Sequence, residues 1–275
     1  MNMKKILALG ATLVFAAVAF TGCGGNQQAA SSSSASSSSG AGKAIVVGLD
    51  DNYPPMGFKD DSGEITGFDI DVAKEAAKRL GRDVEFKAID WDSKEAELKS
   101  GRVDVLWNGL DITEKRKENM LFSDPYMDNR QVVFVRKGDD KGIKSEADLK
   151  GKVIGTQSGG TTEEYFDKNT DLKKSMKELK KYQDYISAFM DLENGRIDAV
   201  VSDEITGRYY MSKHGDKIDG LDVVIGPVSQ FGIGFRKDDT ALKDEIQKVL
   251  DEMVKDGTMA KISEKWFGKD ITLKK

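Results

Sequence analysis

ELKSGRVDVLWNG at residues 97–109 and DLENGRIDAVVSD at residues 191–203 are two copies of one pattern. Each runs polar, leucine, two polar residues, then Gly-Arg-aliphatic-Asp and an apolar stretch. The physical sense is a helix that stops at a glycine, Gly101 or Gly195, where a left-handed C-terminal residue is needed. The apolar run after it reads as a buried strand. A fainter pair precedes each copy: KAIVVGLD at 43–50 and GKVIGTQ at 151–157, both short strands followed by a loop. Two pairs in the same order indicate two α/β units of similar design, each roughly 90 residues long.

The intervening segments fit alternating helix and strand. GFDIDVAKEAAKRLG (67–81) spaces its apolar residues as a helix and ends on Gly81, and DVEFKAI (83–89) alternates as a strand. Helices are predicted over 160–170, 184–195 and 203–215, with two more over 241–268 broken at Gly257. This alternation predicts mostly parallel sheets flanked by helices. Ligands of such sheets sit beyond the carboxyl ends of the strands. Asn108 to Asp111 and Ser202 to Glu204 occupy that position, and would line a shared cleft if the two units face each other. WNGLDITEKRK (107–117) also sets Asp111 and Arg116 five residues apart just past a strand.

The chain has 275 residues and a formal net charge of −5. Lys4 and Lys5, the apolar run Ile6 to Phe20, and the small pair Thr21–Gly22 before Cys23 read as an export signal. The run is short of the roughly 20 residues a membrane span needs. Residues 24–42, GGNQQAASSSSASSSSGAG, cannot build a core and read as a flexible tether. Removing the leader takes two lysines and no acid, which leaves −7. An acidic fold speaks against nucleic-acid binding, which needs a basic footprint. Cys23 is the sole cysteine, so neither a disulfide nor a thiolate metal site is expected. No cofactor and no metal are inferred.

Cys23 after small residues resembles a bacterial lipoprotein signal. That implies cleavage before it, a lipid on its sulfur, and anchoring to the outer face of the cell membrane. Six motifs in order carry a further resemblance: GLDDNYPPMGF with GFDIDVAKEAAKRLG, GLDITEKRKENMLFSDPY, GGTTEEY, GRIDAVVSDE and DGTMAKISEKWFG. Over Lys43 to Gly268 they resemble the polar amino-acid binding proteins of ABC importers, solute-binding protein family 3. The resemblance implies a two-lobed periplasmic-binding-protein-like fold of type II that closes around one free L-amino acid. It implies a signal peptide at 1–22 and the lipidated tether at 23–42. One lobe would hold 43–132 with 230–275 and the other 133–229, with hinge strands between them. The expected partners are a free amino acid and an importer permease, and the protein is expected to act as a monomer. It is not expected to be an enzyme.

The same resemblance assigns roles. Arg116 would grip the ligand carboxylate, since a guanidinium fork matches it bidentately. Without the motif it reads as a solvated helix arginine. Thr161, at a helix start with free N–H groups, would add a carboxylate contact from the opposite lobe. Asp203 would accept from the α-ammonium, although an aspartate there also caps a helix well. Thr113 and Asp111 are both plausible caps of the next helix, Asp111 as a capping box with Glu114, and Asp111 also stands where the family usually has serine or threonine near the ligand ammonium. Asn108 and Gly109 would contribute amide or backbone contacts at the ammonium end. Tyr53 and Trp91 would flank the side chain, unless they are core. Asp50 would approach the side-chain tip. Asp50, Asp111 and Asp203 against Arg116 leave surplus negative charge, which leans towards lysine, arginine or ornithine; glutamine and cystine stay open. The runner-up function is a cyclohexadienyl-dehydratase-like enzyme on the same fold. His214 and the pair Trp266–Phe267 read as structural.

Overall fold

The computed structural model of the chain describes residues 42–274. The expected leader, lipidated Cys23 and, but for Gly42, the tether lie outside the described residues. The chain opens with β1 (Ile45–Leu49), β2 (Asn52–Tyr53), β3 (Gly57–Lys59), β4 (Ile65–Thr66), α1 (Phe68–Arg79) and β5 (Val84–Ala88). A short 3-10 turn at Trp91–Ser93 leads into α2 (Lys94–Lys99), β6 (Val105–Leu106), α3 (Glu114–Asn119) and β7 (Met120–Phe122). The middle of the chain is β8 (Met127–Arg136), β9 (Val153–Gln157), α4 (Thr161–Lys168), α5 (Thr170–Ser175), β10 (Glu178–Tyr182), α6 (Tyr185–Glu193), β11 (Ala199–Asp203), α7 (Glu204–His214) and β12 (Ile218–Phe231). It closes with β13 (Gly234–Arg236), α8 (Thr240–Lys255) and α9 (Thr258–Phe267).

Two five-stranded sheets form the lobes, in the orders β5-β1-β6-β13-β7 and β10-β9-β11-β8-β12. β1 pairs in parallel with β5 and β6, and β9 pairs in parallel with β10 and β11. The repeat in sequence is therefore a repeat in topology: the first strand is central, the second lies on one side and the third on the other. Gly101 and Gly195 both take positive φ, 73° and 71°, where α2 and α6 stop. The expected parallel pairing covers three strands of each sheet, and β13, β7, β8 and β12 pair antiparallel. Parallel pairing needs a crossover, usually a helix. The chain crosses from the first sheet to the second between β7 and β8 and returns between β12 and β13, with no helix at either crossing.

Burial follows the pleat. Val133 and Val135 of β8 join Val201 and Phe166 in one core cluster, while Val132 and Phe134 join Val200 and Phe189 in another. Successive side chains point to opposite faces, so helices cover the second sheet on both sides. The first sheet is likewise covered by α1 and α8 on one face and α2 on the other, with Leu98 buried against Leu106. Asn52 and Tyr53 pair with Phe58 and Gly57, which makes β2 the edge of a small separate sheet.

Candidate functional site

In each sheet the strand order reverses beside the central strand, between β1 and β6 and between β9 and β11. A doubly wound sheet binds at such a switch point, outside the carboxyl ends. The residues that follow those ends are Asp50, Asn108 to Asp111, Gln157 to Thr161, and Asp203. The two lobes bring these ends together. Eight of the nine expected binding residues line one narrow cavity: Tyr53, Trp91, Asn108, Gly109, Asp111, Arg116, Thr161 and Asp203. Asp50 does not line it. It stands one layer behind, hydrogen-bonded to Gln157, which does.

Arg116 lies on α3, whose N-terminus is capped by Thr113 accepting from the Arg116 N–H at 3.2 Å. The helix turns the side chain inward, and the residue is 2 % exposed. Its Nη1 donates to the Asp111 carbonyl at 3.0 Å and to Thr161 Oγ1 at 3.3 Å, and Nη2 donates to the Gly159 carbonyl at 3.2 Å. Among the described residues no carboxylate lies within ion-pair distance of it. A buried guanidinium held by neutral oxygens from both lobes is poised for an anion. Thr161 opens α4 and spans the cleft, donating to Asp111 Oδ2 at 2.6 Å.

The two inner acids are not caps. Thr113 caps α3, so Asp111 is free of that task, and Asp203 makes no side-chain bond to the start of α7. Asp111 instead accepts from Asn129 at 3.0 Å, Ser229 at 2.6 Å and Thr161. Asp203 accepts from Gln131 at 2.7 Å and from the same Asn129 amide group. One amide thus separates two buried carboxylates, and neither has a cation within 4 Å among the described residues. Burial first, and then the charge of Asp203, push the Asp111 pKa up to about 6.

Tyr53 packs its ring against Gly109, and its buried hydroxyl has no hydrogen-bond partner among the described residues. The Asn108 carboxamide accepts from the Asp50 N–H at 3.2 Å, while its Nδ2 has no partner. The Gly109 N–H is already donated to Asp69 at 2.7 Å, which leaves only its carbonyl to offer an ammonium. Trp91 is 6 % exposed and walls the cavity from the first lobe. Asp50 accepts from the Asn52 N–H at 2.9 Å and from Gln157 at 2.6 Å, and burial raises its pKa to about 7.

Sequence reasoning missed Gln157, Gly160, Asn129, Gln131 and Lys94. A signal existed for the first. Aligning Gly48 with Gly155 in the fainter repeat makes Gln157 the counterpart of Asp50, and the two meet across the cleft. Lys94 is 4 % exposed, and Arg116 is among the charges acting on it. It adds a cation that the surplus-charge argument did not count. A larger groove, about 1330 Å³, runs between Tyr209 and Trp266. Arg130 and Arg208 of that groove both pair with Glu204.

The L-cystine-binding protein TcyJ of Escherichia coli is 35 % identical over 231 residues, 83 % of this chain and 84 % of that protein. The structure of a substrate-binding protein of an ABC uptake transporter from Streptococcus pneumoniae with bound histidine superposes with a TM-score of 0.79 at 37 % identity, covering 84 % of this chain and 95 % of the other. An ancestral arginine-binding protein bound to arginine gives a TM-score of 0.77 at 42 % identity, over 82 % and 98 % of the two chains. Residues 45–269 match the bacterial extracellular solute-binding proteins, family 3, and the chain belongs to that family.

Proposed function

We propose that this protein captures one free polar L-amino acid between its lobes, outside the cytoplasm, and delivers it to an ABC importer permease. One observation carries the reading. A single cavity holds a buried guanidinium and two buried carboxylates, none of which makes an ion pair within 4 Å among the described residues. That is the complement of a zwitterion. The ligand carboxylate would meet Arg116 and the first turn of α4, and the α-ammonium would lie between Asp111 and Asp203. The side chain would run between Tyr53 and Trp91 towards Asp50 and Gln157. Desolvated charges bind well only when each is matched, and an α-amino acid matches them all.

The side chain is polar, and the balance of Asp50, Asp111 and Asp203 over Arg116 and Lys94 favours a cationic one. Relatives that bind cystine, arginine and histidine bracket the choice. Lipid on Cys23 would tie the chain to the membrane, with the segment up to residue 42 as tether, and the protein would work as a monomer. The lobes would be 43–132 with 230–275 and 133–229. The glutamates near the cleft speak for binding over the dehydratase reaction, which needs a general acid. Glu163 accepts from the Gly159 N–H and pairs with Lys181, Glu164 pairs with Lys115, and Glu204 with Arg130.

The test is thermal denaturation of the full chain with arginine, lysine, ornithine, histidine, glutamine, cystine and prephenate in turn. A ligand at a hundred times its Kd adds about 2.7 kcal/mol of stability. We expect a shift with at least one amino acid and none with prephenate. The reverse result would replace the importer reading with the enzyme.

Affinity is also expected to depend on pH. In the closed site without ligand, burial and then the charge of Asp203 push the Asp111 pKa up to about 6, and an ammonium beside it would pull that value down. Binding therefore releases a proton between the two values. Affinity falls as pH is lowered through 6, and is regained above about 7. Calorimetry at pH 5.0, 6.0 and 7.5 in buffers of different ionisation heat checks this through the proton count. A flat affinity with no proton release would remove Asp111 from the ammonium site.

A further inference from the structure

Lys94 is the one lysine buried among the described residues. Several local factors oppose its position, against the more distant charges of Glu95, Glu164 and Asp92. A lysine is almost never fully buried unless paired. It is the first residue of α2, where the helix dipole disfavours a cation. Burial, and then the neighbouring Arg116 guanidinium, pull its pKa down to about 7. No carboxylate offsets these costs within 4 Å among the described residues. What the ammonium does have is two carbonyls. It donates to Trp91, one turn back on its own lobe, at 3.1 Å, and to Gly159 of the other lobe at 2.8 Å.

The Gly159 carbonyl therefore accepts from two cations of the first lobe, Lys94 and Arg116. Gly159 is held from its own side as well, by its N–H donating to Glu163 at 2.6 Å. The turn between β9 and α4 is thus gripped where it meets the first lobe. The Lys94–Gly159 bond exists only while the lobes are together. When they part, the ammonium regains water, which also screens the repulsion of Arg116 on the same lobe, so the bond is worth making only if closure supplies a firm partner.

We propose that Lys94 is a positioning residue that latches the second lobe's turn 158–160 onto the first lobe, and so sets how long a bound ligand is retained. It touches no ligand in this assignment. It holds Gly159, and through it the registry of Thr161 against Arg116. The proposal rests on the amino-acid reading above for its effect on retention, but not for its effect on closure.

Both effects are measured in the full chain carrying Cys23→Ser, with nitroxides on Glu118→Cys and Lys168→Cys, exposed positions on α3 and α4. Distances between the labels are read without ligand, and with the amino acid that stabilises the wild type in the denaturation panel. Lys94→Met keeps the stem and removes the donors. It is expected to deplete the short-distance population at least about threefold and to release ligand about tenfold faster, with cooperative melting retained. Lys94→Arg, which keeps a donor, should restore most of both, a rescue that a mere packing role would not give. Identical distance distributions and release rates for wild type and Lys94→Met overturn the latch. If no amino acid binds the wild type, the distances decide alone: depletion by Lys94→Met keeps the latch while the amino-acid reading falls, and no depletion overturns both.

Discussion

Arg116→Ala is expected to weaken amino-acid binding by about 2–5 kcal/mol, the cost of truncating one member of a buried charge pair. At 1.4 kcal/mol per tenfold, that is a loss of roughly thirty- to several thousand-fold. The reasoning starts from what surrounds the side chain. Its partners are the carbonyls of Asp111 and Gly159 and the hydroxyl of Thr161. None carries a full negative charge, so the guanidinium is solvated by the protein but not neutralised by a contact ion. The ligand carboxylate supplies that ion. Removing the arginine leaves the carboxylate desolvated with only hydroxyl and N–H donors. The fold should suffer far less, because deleting an unpaired buried charge also deletes its desolvation cost. Calorimetry with the amino acid that stabilises the wild type gives the affinity, and a melt without ligand gives the fold. Arg116→Lys should recover only part, since an ammonium cannot reproduce the fork. Unchanged affinity in Arg116→Ala would take the carboxylate away from this end of the cavity.

What the sequence revealed and what it hid have physical causes. The repeated Gly-Arg-aliphatic-Asp junction marks the passage from crossover helix to parallel strand. It therefore located the strand ends, and with them Asn108, Gly109, Asp111 and Asp203. The strands β8 and β12 carry no such junction. Asn129 and Gln131 sit on β8, on the same face as Val133, in the polar stretch DNRQ just before its apolar run. Their amides are buried only because the cleft ends of both lobes converge on them, which no local pattern records. Lys94 was hidden for the opposite reason. KEAELK reads as a solvated helix, and only the turn of the other lobe covers its first residue. Asp111 shows how far local logic reaches. Its spacing to Glu114 fits a capping box, yet Thr113 takes the cap at 3.2 Å and leaves the carboxylate to the cleft. Thr161 and Asp111 belong to different lobes, so their bond at 2.6 Å was beyond any reading of spacing alone.

Gly159→Ala should separate closure from chemistry, because it adds one methyl group and removes no charged or hydrogen-bonding group. Gly159 has φ +70°, and a Cβ built there would lie 2.7 Å from Asp92 Cα and 3.0 Å from the Trp91 carbonyl. The obstacles are backbone atoms of the other lobe, which cannot rotate away as a side-chain tip could. The left-handed backbone alone costs a non-glycine residue about 1 kcal/mol, and that cost is the same whether the lobes are apart or together. It should appear as a small fall in the melt of the unliganded chain. The clash is different, since it exists only in the closed arrangement. To relieve it the turn must retreat by several tenths of an ångström, which lengthens the bonds from Lys94 and Arg116 to the Gly159 carbonyl and shifts Thr161 away from Asp111. A ligand shifts the lobes only by as much as it prefers the closed state, so weakening that state is lost directly from affinity. We expect a loss of at least about thirtyfold, on the scale of roughly 2 kcal/mol, carried by faster release because the open lobes and their charges are untouched. Stopped-flow release of the stabilising amino acid, with association measured in parallel, tests the division. Slower association at unchanged release would mean that the methyl group acts on the open form, and an unchanged affinity would mean that the ligand-bound lobes do not approach as closely at Gly159 as they do here.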